Sequence, residues 1–205
     1  MYRIRFHGRG GQGMKTASRI LGTAFFKAGY EVQGAPRYGA ERRGAPIFAY
    51  VRADSSPVNE RGIISHPDLV VVSDDTLVGM PAAGVLQGVD EHSVLLINSH
   101  ESADTWSVRL NTKATILILP AAEEVEDRAE LPYIGSSCAA ASAALTGVIS
   151  RDIFSEALSE ELQHLGLVRL DHEQAGPHDE HDDGCQHRGN ICGGVRFSSA
   201  STKRM

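Results

Sequence analysis

The hexapeptide Gly8-Arg9-Gly10-Gly11-Gln12-Gly13 constrains this chain more than any other stretch. It follows a short alternating segment, Tyr2 to His7, that reads as a strand, and it opens a helical pattern from about Met14 to Ala28. A strand, a glycine turn and a helix in this order aim backbone N–H groups and a helix amino end at an anion. One glycine serves the tight turn with φ > 0, one lets a phosphate approach the backbone, and one lets helix and strand pack closely. Arg9 adds a cation at the rim. Turns of this composition also occur purely for packing, so a bound phosphate or other anion and a structural turn both stay open on these residues alone.

At 205 residues, with 41% apolar and 22% charged residues, the chain has the size and composition of one globular α/β domain with an appendage. No run approaches a membrane span, and the strand pattern begins at once, so the expectation is a cytoplasmic protein without a signal peptide or membrane partner. Three cysteines, Cys138, Cys185 and Cys192, are too few for a disulfide framework. The net charge of −6 is unevenly spread: residues 1–63 hold eleven Lys and Arg against four Asp and Glu, a net of +7. A basic first third beside the glycine turn favours an anionic ligand or an acidic partner surface; a solvated basic face is the alternative. The acidic chain, without a basic stripe interleaved with aromatics, argues against nucleic acid.

After the first helix, Gly29 is a natural C-cap and a short strand is expected around Tyr30 to Gly34. Residues 35–46 contain two prolines, two glycines and the arginines Arg37, Arg42 and Arg43 without apolar periodicity, which predicts a loop. A connection of that length is often functional, and the three forked guanidinium groups suit phosphate or carboxylate. Ile47 to Arg52 reads as a strand. The runs Leu69–Val72, Val94–Ile97 and Thr115–Leu119 are unbroken and rich in β-branched residues, as in strands of a parallel sheet buried on both faces. Asp74, Asp75, Asn98 and Ser99 fall at carboxyl ends of such strands, where open α/β sheets place ligands, although capping explains Asp74 and Ser99 equally well. Ala121 to Glu130 reads as a short acidic helix, Ala139 to Ile149 as an alanine-rich one led in by Ser136-Ser137-Cys138, and Arg151 to His164 as one capped by Ser150. Cys138 reads as a buried, inert thiol.

From Asp171 the character changes. Asp171 to His187 holds six acids and four histidines and cannot sustain a core. His178, His181, Cys185, His187 and Cys192 match no standard zinc spacing, so no metal site is expected. Residues 1–170 are therefore read as the domain, and 171–205 as a disordered or loosely packed polar tail whose removal leaves thermal stability nearly unchanged. The expected fold is a single three-layer, Rossmann-like α/β domain with a mainly parallel sheet and helices on both faces.

Two absences narrow the chemistry. The chain has no G-D-G…N-N run for thiamine diphosphate and no C-x-x-C-x-x-C run for an iron–sulfur cluster. A nicotinamide site would want an acid at the end of the second strand, near Gln33-Gly34, whereas Glu31 lies nearer its start.

Taken together, Arg5-Phe6-His7-Gly8-Arg9-Gly10-Gly11-Gln12-Gly13, Gly29-Tyr30-Glu31-Val32-Gln33 and Tyr38-Gly39-Ala40-Glu41-Arg42-Arg43-Gly44-Ala45-Pro46 resemble the gamma subunit, or gamma domain, of 2-oxoacid:ferredoxin oxidoreductases, in particular the pyruvate branch. The resemblance covers roughly residues 1–165; it departs at Ser136-Ser137, where an Asn-Thr-like step is common, and altogether beyond about residue 170. It implies a chain with no catalytic residue and no cofactor bound by itself, inactive alone. Its partners would be the thiamine-diphosphate and iron–sulfur subunits, with ferredoxin reached through the complex. Coenzyme A would be the co-substrate whose phosphates meet Gly8, Arg9, Gly10, Gly11, Gln12, Gly13, Arg37, Arg42 and Arg43. Two other readings remain: a stand-alone dinucleotide-dependent oxidoreductase, and a non-catalytic ligand-binding or assembly module.

Overall fold

A computed structural model describes residues 1–37, 45–120 and 134–166. Among them, six strands and four helices run in the order β1 (Tyr2–Arg9), α1 (Met14–Lys27), β2 (Glu31–Arg37), β3 (Pro46–Asp54), β4 (Leu69–Val72), β5 (Val94–Asn98), α2 (Ala103–Leu110), β6 (Thr115–Leu119), α3 (Ile134–Thr146) and α4 (Arg151–His164). Short 3₁₀ turns at Asp75–Leu77 and Pro81–Ala83 lie between β4 and β5.

The strands form one sheet in the order β2-β3-β1-β4-β5-β6. β1, β4, β5 and β6 are parallel, with Phe6 beside Val71 and Leu96 beside Leu117. β3 runs antiparallel to both of its neighbours, pairing Ile4 with Val51 and Gly34 with Val51. The expected strands near 2–7, 69–73, 94–98 and 115–119 thus share a sheet in which three of five pairings are parallel. The connection from β2 to β3 spans only residues 38–45, too short for a parallel crossover, so β3 returns antiparallel.

Alternation along the strands divides the interior in two. Ile4, Phe6, Leu69, Val71, Val94 and Leu96 face one side, where Ile20, Leu21 and Phe25 of α1 and the small residues of α3 close the layer. Val70, Val72, Leu95 and Ile97 face the other, against Trp106 of α2 and the 3₁₀ turns. α1 forms because Ala17, Ile20, Leu21, Ala24 and Phe25 make one buried stripe. It stops at Gly29, whose φ of 88° lets its N–H reach the Phe26 carbonyl while Tyr30 N–H reaches Phe25. α4 is capped as expected: Ser150 Oγ accepts from Ile153 N–H.

Helices do lie on both faces, but over β1 and β3 the second layer is chain without α-helix, residues 55–66 and 79–89 with the 3₁₀ turn Pro81–Ala83, held by buried side chains of the sheet. Arg5 donates to the carbonyls of Ile64 (3.3 Å) and Val85 (2.8 Å). Arg52 donates to the Gly62 carbonyl (2.9 Å) and to Gln33 Oε1 (2.9 Å). Arg3 grips Glu60 through two nitrogens, at 2.6 and 3.1 Å. A buried guanidinium needs acceptors wherever they come from, and irregular backbone supplies carbonyls that a helix would keep for itself.

Three local expectations change. The stretch read as a loop from Ala35 is strand through Arg37, because β2 pairs with β3 over its whole length. α3 begins at Ile134, so Ser136 and Ser137 lie inside it and Cys138 belongs to its second turn. The cap near Ser99 belongs instead to Ser102, whose Oγ accepts from Thr105 N–H. The acidic helix expected over 121–130 and the tail from 171 lie outside the described residues. No helix among the described residues is long and apolar enough to cross a membrane.

Candidate functional site

From β1 the chain crosses one face through α1 toward β2 on one side, while β4, β5 and β6 add on the other. The carboxyl ends of β1 and β4 therefore flank a topological switch point, where open α/β sheets leave a crevice for ligands. The glycine turn fills one lip of this crevice and Ser73-Asp74-Asp75 the other.

The turn is braced from within. Gln12 folds back so that its Oε1 accepts from Arg9 N–H (2.7 Å) and from Ser73 Oγ (2.8 Å). Gly10 N–H is bound by the Ala45 carbonyl, and Gln12 N–H by Arg9, both at 3.0 Å. Gly11 and Gly13 have φ of 101° and 73°, the left-handed region that a side chain would strain. Gly8 must be glycine for a different reason: a Cβ there would collide with Ser73 Oγ and Met14 Cγ. Gly13 caps α1 without any side-chain hydrogen bond, and α1 has no acid in its first turn, which carries Lys15 instead. α1 thus brings its positive amino end to the turn with nothing negative in its own first turn to meet it.

Gly135, in the first turn of α3, abuts the Gly13 carbonyl so tightly that a Cβ would stand 2.6 Å from its oxygen. The amino ends of α1 and α3 thus meet at the turn, and α3 too lacks an acid in its first turn. Two positive helix ends converge on one spot.

Opposite them stands a carboxylate. Arg9 Nε is 2.8 Å from Asp74 Oδ2, and Arg9 Nη2 donates to Thr76 Oγ1 at 2.7 Å. Burial opposes ionisation of Asp74, but hydrogen bonds from Thr76 and the Arg9 guanidinium outweigh it and hold the carboxyl below its ordinary range. Asp74 also caps the 3₁₀ turn by accepting from Thr76 N–H. Asn98 and Ser99, at the end of β5, are tied into structure. Asn98 Nδ2 donates to the Ser73 carbonyl (3.0 Å), and Ser99 Oγ donates to Asp75 (2.6 Å) while accepting from Trp106 Nε1 (3.1 Å).

Of the nine residues expected to contact an anion, Gly8, Arg9, Gly10, Gly11, Gln12 and Gly13 come together here. The backbone of Arg37 ends β2, and Arg42 and Arg43 lie outside the described residues. Among the described residues, the basic excess of the first third does not form one open face. Arg5 and Arg52 are buried, Arg3 and Arg9 are paired, Arg19 stands 3.1 Å from Glu161 Oε2, and Lys27 pairs with Glu156 and Glu160. Cys138 is buried, and burial pushes its thiol up to about 12. Sequence reasoning missed Gly135 as a wall of the site; the only signal was its place just before an alanine-rich run.

The sheet order also speaks to a dinucleotide. In the dinucleotide fold the acid that binds ribose ends the strand beside β1. Here β3 stands between β1 and β2, which moves the end of β2 about 10 Å from that of β1. Glu31 begins β2, at the far edge of the sheet.

Comparison with known proteins agrees with this architecture. The model of the family described as "Pyruvate ferredoxin/flavodoxin oxidoreductase" matches residues 3–171. The chain is 35% identical over 158 residues to pyruvate synthase subunit PorC of Methanosarcina barkeri, covering 77% of this chain and 85% of that one. It is 37% identical over 161 residues to the pyruvate/ketoisovalerate oxidoreductases common subunit gamma of Thermococcus kodakarensis, covering 78% and 86%. Among solved structures, pyruvate oxidoreductase subunit PORC of Thermotoga maritima superposes with a TM-score of 0.63 at 30% identity, over 80% of this chain and 84% of that one.

Proposed function

The chain belongs to the pyruvate ferredoxin/flavodoxin oxidoreductase family, and on that premise we propose that it is the gamma subunit of a cytoplasmic 2-oxoacid:ferredoxin oxidoreductase, with pyruvate as the 2-oxoacid. In this reading the complex decarboxylates the 2-oxoacid oxidatively, passes the electrons to ferredoxin and releases an acyl-coenzyme A. Thiamine diphosphate and the iron–sulfur clusters belong to other subunits, for which this chain has no binding runs. Its own contribution is to assembly and to holding coenzyme A.

The observation that carries the coenzyme A assignment is the meeting of two helix amino ends at a glycine turn. The N–H groups of Arg9, Gly10 and Gln12 are already bonded within the domain, so a phosphate would take those of Gly11, Gly13 and the first turn of α1. α1 has no acid in its first turn, so an anion bound at its amino end would gain about 0.3–1 kcal/mol from the helix dipole. Gln12 and Arg9 hold the turn's shape. Arg42 and Arg43, on the connection that follows β2, would add forked donors either to coenzyme A phosphate or to an acid on the thiamine-binding subunit.

The test is kinetic and uses the reconstituted complex. Arg42→Ala or Arg43→Ala should weaken coenzyme A binding or subunit assembly about ten- to a hundredfold, the equivalent of one charge-assisted hydrogen bond. A phosphate contact raises the KM for coenzyme A and leaves the complex intact, whereas an interface contact breaks the complex. Unchanged kinetics and assembly in both variants would remove these arginines from the site. Turnover of the isolated chain with a nicotinamide cofactor would point to a stand-alone oxidoreductase instead.

A further inference from the structure

The turn that would take a phosphate has a negative charge of its own beside it. Asp74 Oδ2 stands 2.8 Å from Arg9 Nε and 3.4 Å from Gln12 Nε2, so the carboxylate lies against the stretch that offers the Gly11 and Gly13 N–H groups. Hydrogen bonds from Thr76 and the Arg9 guanidinium keep it ionised at neutral pH. Water screens the pair little, since the side chains of Arg9 and Asp74 are only 29% and 18% exposed. Left bare, such a carboxylate would repel a phosphate and would compete with it for the amino ends of α1 and α3. Arg9 is placed to prevent both. Its Nε donates to Asp74, its Nη2 to Thr76 Oγ1 at 2.7 Å, and its backbone N–H to Gln12 Oε1 at 2.7 Å. Gln12 adds no charge, although a carboxylate could accept equally well from Arg9 N–H and Ser73 Oγ. The same edge of the sheet shows a second sign of a ligand. Asn98 is buried and gives its Nδ2 to the Ser73 carbonyl, while its Oδ1 has no hydrogen-bond partner among the described residues, an acceptor open to a donor that the domain does not supply.

We propose that Arg9 is a positioning residue that neutralises Asp74 and holds it aside, so that backbone N–H groups bind the phosphate while Arg9 itself does not touch it. The inference rests on the coenzyme A reading and assigns a role within that site. Arg9, Asp74 and Gln12 together sum to no net charge, which leaves the helix ends and free amides of the turn as the attraction. Asp74 is kept because it also accepts from Thr76 N–H and so caps the 3₁₀ turn that follows β4. Asparagine would cap that turn as well, and the charge of Asp74 can therefore be removed without removing its structural task.

The test is a double-mutant cycle in the reconstituted complex, read as the Kd and KM for coenzyme A. Arg9→Ala should weaken binding about tenfold or more, through KM with kcat unchanged, because it uncovers the carboxylate. Asp74→Asn alone should bind as tightly as the wild type or more tightly. The variant carrying both Arg9→Ala and Asp74→Asn should return to within about threefold of the wild type. A merely structural role gives no such rescue, since losing a second partner cannot repair the loss of the first. Gln12→Glu keeps both acceptor contacts and adds one negative charge, so it should weaken binding as Arg9→Ala does, again with rescue by Asp74→Asn. It carries the comparison if Arg9→Ala does not fold, which circular dichroism checks. A double variant that binds as weakly as Arg9→Ala overturns the proposal and makes Arg9 a direct contact of the ligand. Wild-type affinity in Arg9→Ala overturns it too. If none of these variants changes the affinity for coenzyme A, the turn is not the phosphate site, and the coenzyme A reading falls together with this inference.

Discussion

Gly135 packs against the Gly13 carbonyl at a separation no side chain could share, a Cβ there standing 2.6 Å from the oxygen. The neighbour is backbone, and it belongs to the cap of α1, so it cannot move aside as a flexible side chain would. Gly135→Ala should cost about 1–3 kcal/mol, the range for overpacking. Gly79→Ala, where nothing lies within 4 Å of the added Cβ, should stay within about 0.5 kcal/mol. Urea denaturation of the two variants gives the comparison. Equal midpoints would mean that α3 can shift away from the turn freely.

His7 should report its surroundings through pH. Burial, and then the positive charge of Arg5, pull its pKa down to about 3, with the Ala83 carbonyl pulling weakly the other way. The folded ring is therefore neutral, while the unfolded ring takes up a proton below about pH 6.5. Its contribution to stability is whole above pH 6.5 and is lost as the pH falls toward 3, at no more than about 1.4 kcal/mol per pH unit. Nitrogen NMR should find the Nδ1–H tautomer from neutral pH down to about pH 4. Titration of His7 near pH 6 in the folded chain would contradict this.

Cys138 should resist alkylation. Its thiol is buried and raised to about 12, so almost no thiolate exists at pH 8. In a chain carrying Cys185→Ser and Cys192→Ser, iodoacetamide should label Cys138 only under unfolding conditions. Labelling in native buffer at the rate of a free peptide thiol would show that α3 opens readily.

Glu161 joins α4 to α1. It is buried, accepts from Thr23 Oγ1 at 2.8 Å and stands 3.1 Å from Arg19 Nε. Glu161→Ala should lower stability by about 1–3 kcal/mol, because the Thr23 hydroxyl loses its buried acceptor. Glu161→Gln keeps an acceptor for Thr23 and should cost less. If both substitutions cost the same, the exposed Arg19 pair matters more than the hydroxyl. Chemical denaturation of the three proteins separates these outcomes.

Much of this fold was legible from periodicity. β1, α1, β4, β5, β6 and α4 obey the spacings that burial on one or two faces requires, and the Gly8–Gly13 turn announced itself by composition. Strand direction was not legible: Ile47 to Arg52 alternates in the same way whichever way it runs, and only the short connection from β2 makes β3 antiparallel. The burial of Arg5 and Arg52 was equally hidden, since their partners are carbonyls of Ile64, Val85 and Gly62, and a carbonyl has no signature in sequence. For the same reason the basic first third read as a supply of free cations, when most of the described ones are engaged within the domain. At the site, sequence found the turn and set Asp74 and Asp75 at a strand's carboxyl end, but it could not show that this end faces the turn. Ser73 and Asp74 matter because β4 lies beside β1, a relation between residues more than sixty positions apart.

The place of β1 has a consequence for the chain as it is being made. It is the third strand across the sheet, yet it is the first to be synthesised, and its antiparallel partner begins only at Pro46. At ordinary rates of synthesis it must wait on the order of seconds without a neighbour. An apolar strand left bare for so long would invite pairing with other nascent chains. Arg3, Arg5 and His7 occupy one of its two faces, and like-charged guanidinium groups repel a second copy of the same strand. The side chains that later tether the irregular layer from beneath thus serve, before there is anything to tether, as guards against aggregation.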